Sequence, residues 1–377
     1  MTSTRLEGEL QHMVELSLAA SRHRPAYPVS FIEQKLPDFQ QLPEILRLSA
    51  NTGIWTNFGP VSSLLESAIE QHLNLSPTHA VVMCSSGTAA LLSLIGLKEY
   101  RAQRRLRWVV SAFGFRASCL GPLAGARVLD CGETGILDLD TLRRLHPESW
   151  DGVVVTNVFG LKTDLREYIA LCRDRGKELI VDNAGLLDGF VRDDPHSIAE
   201  EILSFHQTKP WGMGEGGCAV LPKAQAAAFR ALINGGDGLC REARLWASNS
   251  KISDVSCALI LQRLLQAPEW SCGYREQARR ILQIAVRAGL EQLAPMDLTT
   301  LTPPHLPMLA PDSVTEADLA GAPFVMQKYY EPLGEDCPAA AAIYDRIVNI
   351  PCHPDMALLT DEEIRAALAR LPGCGGN

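Results

Sequence analysis

Three short stretches hold residue types that could do chemistry together. SFHQTKPWGMGEGG (204–217) sets a single lysine, Lys209, behind a short apolar run and ahead of a glycine-rich tail. A lysine drawn out of water holds its proton less tightly and becomes a nucleophile for carbonyl groups. The ordinary alternative is a surface lysine snorkelling into solvent, against which the aromatic flank Trp211 and the GEGG tail weigh. ELIVDNAG (178–185) puts Asp182 at the C-terminal end of an apolar strand-like run. That edge of an open α/β sheet is where ligands sit, although a single Asp there serves equally well to cap a turn. CSSGTAALL (84–92) places small residues between a strand-like run and a helical one. Small residues let the backbone approach an anion, and the first N–H groups of a helix point at it; a plain N-cap is the commoner use of such a turn.

The elements that must position these residues are legible in the pattern. From about residue 80, AVVMCS, WVVSAF, RVLDC, DGVVVTNVFG, ELIVDN, EILSF and GGCAVL predict strands. Between them TAALLSLIGLKEYRAQ, FRASCLGPLAGA, DLDTLRRL and DLREYIALCRDRG predict helices. Such alternation predicts an α/β fold, with a mostly parallel sheet covered on both faces. After about residue 235, SDVSCALILQRLLQ, YREQARRILQIAVRAGLEQL and TDEEIRAALARL read as helices around a Pro-rich segment, LTPPHLPMLAP. The expected organisation is an N-terminal helical extension (1–50), a large α/β domain (51–235) and a smaller C-terminal α+β domain (236–377).

Taken in order, a phosphate cradle, an acid at a strand end and a lysine after a later strand meet the needs of pyridoxal phosphate. Its phosphate needs a helix N-terminus, its ring nitrogen a carboxylate that keeps it protonated, and its aldehyde a lysine for a Schiff base. From about residue 51 onward the chain resembles the DegT/StrS family of sugar aminotransferases. The resemblance rests on NTGIWTNFGPVSSLLESAIEQHL, SSGTAAL, VVVTNVFGLKTDLREYIALCRDRGKELIVDNAG, SFHQTKPWGMGEGG, ASNSKISDVSCALILQRL, QKYYEPL and NIPCHPDM, in family order. It implies a fold-type I transferase that depends on pyridoxal 5'-phosphate (PLP), with a mixed, mostly parallel sheet flanked by helices. By this resemblance Lys209 would hold the cofactor and move a proton between it and the substrate carbon. Asp182 would pair with the ring nitrogen, Ala184 would pack beneath the ring, and Phe115 would stack on its other face. Gly87 and Thr88 would bind the phosphate through their N–H groups, with Ser204 adding a hydroxyl. Asn249 would reach the phosphate of a neighbouring subunit, implying a homodimer with shared sites. His206 and Tyr329 would face the substrate.

Several positions depart from the family. Gly185 stands where His or Gln is usual, and Gly114 where a threonine precedes the stacking aromatic. RAQRRLRWVV replaces the usual Gly-Asp-Glu lead into its strand, and the first fifty residues have no counterpart. The expected activity is transfer of an amino group, with glutamate as donor, to a keto-sugar carried on a nucleotide, in surface-polysaccharide or secondary-metabolite synthesis. The alternatives are other PLP chemistry (a lyase, or an aminotransferase for cyclitols or antibiotic precursors) and a PLP-fold protein that has lost catalysis. A dehydratase, which replaces the lysine by histidine, is disfavoured.

Bulk properties agree with a soluble enzyme acting on small molecules. The chain has 377 residues, 46% of them hydrophobic and 21% charged, more than one compact core usually serves. Its formal net charge is −9, with no long basic run, so nucleic acid is not an expected partner. No apolar run is long enough to span a bilayer, and the first residues lack the pattern of a secretory signal. Eleven scattered cysteines without a C-x-x-C pair argue for reduced thiols rather than disulfides or structural zinc. A cytoplasmic location is expected, and no metal.

Overall fold

The computed structural model describes residues 28–161, 164–187 and 199–375, together with Gln11 and Met13. The helix-like run expected over the first residues falls, those two apart, outside them. The apolar runs become seven strands: β1 (His79–Cys84), β2 (Trp108–Ser111), β3 (Arg127–Leu129), β4 (Gly152–Thr156), β5 (Glu178–Asp182), β6 (Ala199–Ser204) and β7 (Gly217–Pro222). They lie side by side in the order β1-β7-β6-β5-β4-β2-β3. From β3 to β6 every pairing is parallel, while β7 runs antiparallel to both β6 and β1. The mostly parallel sheet expected from the sequence is therefore present, with β7 reversed against the other six strands.

Ten α-helices among the described residues accompany the strands. They are α1 (Leu42–Thr52), α2 (Pro60–His72), α3 (Gly87–Ala102), α4 (Leu139–Arg144) and α5 (Arg166–Asp174). Then come α6 (Lys223–Ile233), α7 (Asp254–Leu265), α8 (Ala267–Arg287), α9 (Pro338–Arg346) and α10 (Asp361–Leu368). Because strand side chains alternate between faces, Val82, Val110, Val154, Ile180 and Ile202 turn to α3 and α6. Their neighbours Val109, Val153 and Val181 pack with residues of α4 and α5, while Val81, Met83 and Leu203 pack with α2 and α7. The sheet is thus buried on both faces. A smaller antiparallel sheet, β10 (Ile347–Pro351), β9 (His305–Leu309) and β8 (Glu291–Gln292), shares a second core with α8 and α10 around Met308, Val348 and Ile281.

Two stretches differ from the sequence expectation. FRASCLGPLAGA forms two short 3₁₀ turns, Arg116–Cys119 and Gly121–Leu123, instead of one helix. Gly121 adopts φ +52° and Pro122 has no N–H to donate, so the ladder stops there. In the stretch read as a helical extension, residues 28–38 run without helix, and a helix follows from Leu42.

One buried ion cluster ties α3 to the sheet. Lys98 Nζ lies 2.6 Å from Glu200 of β6 and 2.8 Å from Glu178 of β5. Burial alone would lower the affinity of Lys98 for its proton, but Glu200 and Glu178 together hold it above its ordinary value. Removing one partner of such a pair leaves a charge stranded in the interior. Lys98→Met is therefore expected to cost about 3–5 kcal/mol. Urea unfolding checks it, and an unchanged midpoint would show that the cluster contributes nothing net.

Candidate active site

The carboxyl ends of the forward strands converge on one cavity of about 460 Å³. The turn after β1 supplies Ser86, Gly87 and Thr88, β4 ends in Thr156 and Asn157, β5 in Asp182, and β6 in Ser204. Ligands sit at this edge in open α/β sheets. Lys209 reaches it because the chain doubles back between β6 and the reversed β7, forming a tight loop. In that loop Lys209 N–H donates to His206 O (2.8 Å), Gly212 N–H to Lys209 O (2.9 Å) and Gln207 N–H to Gly214 O (2.8 Å). The buried Trp211 anchors it by donating from Nε1 to Ser204 O (2.7 Å).

Electrostatics set the character of the two central groups. Burial pushes the Asp182 carboxyl above the usual carboxylate range, opposed by the Ala184 N–H and by the Lys209 charge. Burial likewise pushes the Lys209 amine below its ordinary value, with Asp182 pulling the other way. Asp182 accepts a hydrogen bond from Ala184 N–H (3.1 Å). Beside it, Asn157 donates from Nδ2 to Asn183 Oδ1 (2.8 Å), while its buried Oδ1 meets no donor among the described residues. Across the cavity α3 begins. Ser86 Oγ accepts from Ala89 N–H (3.0 Å) and Ser86 O from Ala90 N–H (3.0 Å), which leaves the N–H groups of Gly87 and Thr88 outside the helical ladder. A Cβ built on Gly87 would stand 3.1 Å from that of Ser204, so the two supports adjoin.

These residues fit pyridoxal phosphate: free N–H groups and a hydroxyl for a phosphate, a buried acid short of partners for a ring nitrogen, and a desolvated amine for an aldehyde. Of the residues singled out in the sequence, Gly87, Thr88, Phe115, Asp182, Ala184 and Ser204 line the cavity. So do Lys209, His206 and Tyr329. His206 Nδ1 lies 2.9 Å from Thr208 Oγ1, and its Nε2 lies 3.4 Å from the Glu215 carboxylate. Tyr329 donates to Gln327 Oε1 (3.2 Å). Asn249 is not brought to this cavity: it is exposed, bridges to Asn234, and accepts from Lys251 Nζ (2.6 Å).

The sequence reading missed several lining residues, among them Phe31, Thr156, Asn157, His305 and Tyr330. Thr156 and Asn157 carried a signal, since they are polar residues at a strand end like Asp182. His305, Tyr330 and Phe31 carried none and arrive by tertiary packing. The rings of Tyr330 and Phe159 stack at 4.9 Å, and Phe159 meets His305 edge-on at 5.1 Å. Burial, followed by the Lys209 charge, pushes the His305 imidazole down to about 3, so it is neutral at neutral pH.

Gly185 and Gly114 have a packing explanation. A Cβ on Gly185 would lie 2.6 Å from Gly160 N and 2.9 Å from the Phe159 carbonyl carbon, so two backbone segments touch there. A Cβ on Gly114 would come 3.1 Å from Thr156 Oγ1. The space that a larger residue would use at each position is occupied by this protein's own chain.

Fold and site together define a pyridoxal-phosphate enzyme architecture. The chain belongs to the DegT/DnrJ/EryC1/StrS aminotransferase family, whose description matches residues 40–306. Protein Rv3402c of Mycobacterium tuberculosis H37Rv is 26% identical over 255 residues, 63% of this chain; the match spans 60% of that relative's own length. The fold is also that of a putative PLP-dependent aminotransferase from Bacillus cereus ATCC 10987, with a TM-score of 0.76 and 20% identity over 91% of this chain and 99% of the other. DesI, crystallised in the presence of its TDP-sugar product, superposes with a TM-score of 0.71 and 21% identity over 89% of this chain and 90% of its own. PLP is the cofactor that membership of this family implies. Among the described residues no helix is long and apolar enough to cross a membrane.

The packing at Gly185 yields a sharp expectation. Restoring a family-like side chain with Gly185→Gln should force the 157–161 turn to move and destabilise the fold by about 1–3 kcal/mol or more. Thermal unfolding measures it, and a variant as stable as the parent would show that the backbone contact yields freely.

Proposed function

We propose that the protein is a PLP-dependent aminotransferase that moves an amino group, with glutamate as donor, onto the ketone of a nucleotide-linked sugar. The observation that carries this reading is the convergence of the Lys209 amine, the Asp182 carboxylate and the N-terminus of α3 on one cavity. The TDP-sugar product of DesI supports the nucleotide-linked substrate by analogy of fold. When bound, pyridoxal phosphate supplies an electron sink for the substrate carbon and a carrier for the amino group.

The chain's own groups divide the remaining work. The N–H groups of Gly87 and Thr88, with Ser204 Oγ, hold the phosphate against the dipole of α3. Asp182 would hold a proton on the ring nitrogen of the bound cofactor. Phe115 and Ala184, both lining the cavity, would pack against its ring. Lys209, whose amine burial pushes below its ordinary proton affinity, removes the proton from the α-carbon of the donor and returns one to the former ketone carbon of the sugar. His206 and Tyr329 orient the sugar at the open side. Asn249, on the surface of its own subunit, serves the phosphate of a second copy, which makes the working unit a homodimer in the cytoplasm. Residues 51–235 form the large cofactor domain of this unit and 236–377 the smaller one.

Borohydride reduction of the PLP-loaded protein followed by peptide mapping should place the phosphopyridoxyl group on Lys209. Lys209→Ala should lower turnover by at least about 10²-fold, the scale of lost proton-transfer catalysis. Label on another lysine would sink the site assignment. Glutamate should convert the bound cofactor's absorbance to that of its amine form. Conversion by no amino acid, with PLP fully bound, would instead support a silent PLP-fold protein.

A further inference from the structure

The Lys209 loop is gripped from outside by a segment that precedes the family-matched span, residues 40–306. Residues 29–35 cross between the two cores. Val29 N–H donates to Pro323 O (2.8 Å), and Val29 O accepts from Val325 N–H (2.9 Å). Ser30 O lies 2.9 Å from His353 Nε2, and Gln34 N–H donates to Asp355 Oδ2 (2.9 Å). Glu33 pairs with the guanidinium of Arg263 and accepts from Tyr274 OH (3.1 Å). The backbone and carboxylate contacts of this segment therefore leave little play in where Lys35 stands.

Lys35 Nζ donates to three main-chain carbonyls of the lysine loop: Gln207 O (2.8 Å), Gly212 O (2.8 Å) and Lys209 O. Arg263 Nε donates to a fourth, Pro210 O (2.8 Å). Three acceptors match the three N–H donors of an ammonium; a neutral amine has only two. Burial, then the Arg263 charge, pushes the Lys35 ammonium down to about 7, with Glu33 opposing and Lys209 adding to the push. Its charge is therefore present below about pH 7 and lost above; the charged or titratable groups around it are Arg263, Glu33, Lys209 and His353, whose imidazole burial pushes down.

We propose that Lys35 is a positioning residue, whose ammonium fixes the carbonyls around Lys209 and so aims the Lys209 amine into the cavity. The inference rests on the aminotransferase reading of Lys209. The same charge disfavours a proton on the Lys209 nitrogen, and removing it lets that nitrogen hold its proton to higher pH.

The test compares wild type, Lys35→Met, Lys35→Gln and Lys35→Arg, each loaded with pyridoxal phosphate. Read for each are the pH midpoint of the bound cofactor's absorbance change, the rate of conversion by glutamate and the thermal midpoint. Borohydride mapping of the wild type to Lys209 comes first; if it fails, the reading of Lys209 fails, and this inference with it. With Lys209 labelled, Lys35→Met should raise the absorbance midpoint and slow conversion about tenfold or more, as misplacement of a reacting group does. The gap from wild type should narrow above about pH 8, where Lys35 is already neutral. Lys35→Arg should recover most of the rate. If Lys35→Met does not fold, Lys35→Gln, a neutral donor of similar size, is read the same way. A labelled wild type whose neutral variants keep its midpoint and rate, with only the thermal midpoint lowered, would overturn the proposal and leave Lys35 a structural tie.

Discussion

An acid and an amine, both buried, share one cavity, and the rest of the molecule is arranged around their mutual dependence. Burial drives Asp182 and Lys209 each toward its neutral form; the Ala184 N–H and then the Lys209 charge oppose it at Asp182, and the Asp182 charge opposes it at Lys209. Opposed charges that neither water nor a full set of hydrogen bonds can satisfy are tolerated only where something gains from them. Here the gain is a place for a cofactor that carries a phosphate, a basic ring nitrogen and an aldehyde at fixed separations.

Topology makes that place. Parallel strands bring all their carboxyl ends to one edge, so residues far apart in sequence meet there without long excursions. The reversal of β7 is the second requirement, because only a chain that turns back after β6 can lay a lysine across the ends of its neighbours. α3 must then begin at this same edge, and the buried Lys98 pins the far part of that helix to β5 and β6. The sheet, the loop and the helix are thus one device for holding three chemical groups in register.

Departures from the family pattern look different once packing is considered. Gly185 reads in sequence only as a departure from the usual His or Gln. In the fold it is the point where the turn after β5 rests on the turn after β4, with no room for a side chain. Gly114 is crowded in the same way by Thr156. Neither glycine has room for a side chain without displacing a neighbour. Phe31, His305, Tyr329 and Tyr330 form an aromatic wall of the cavity, and they come from segments far apart in the chain.

The sequence by itself determined the α/β layering and most of the singled-out residues that line the cavity, because each is written locally. Near-continuous apolar runs specify strands buried on both faces, a Ser-Ser-Gly-Thr turn specifies a helix start, and Asp182 and Lys209 follow strands whose carboxyl ends a parallel sheet brings to one edge. It misread FRASCLGPLAGA, where apolar content masked the break at Gly121 and Pro122. Three matters were left to tertiary structure: the aromatic wall, the role of Gly185 and the grip of Lys35 on the lysine loop. Each depends on close approach between segments separated by tens to hundreds of residues, and a linear pattern holds no record of which surfaces will touch. Periodicity encodes which face is buried; only the packed chain decides what that face is buried against.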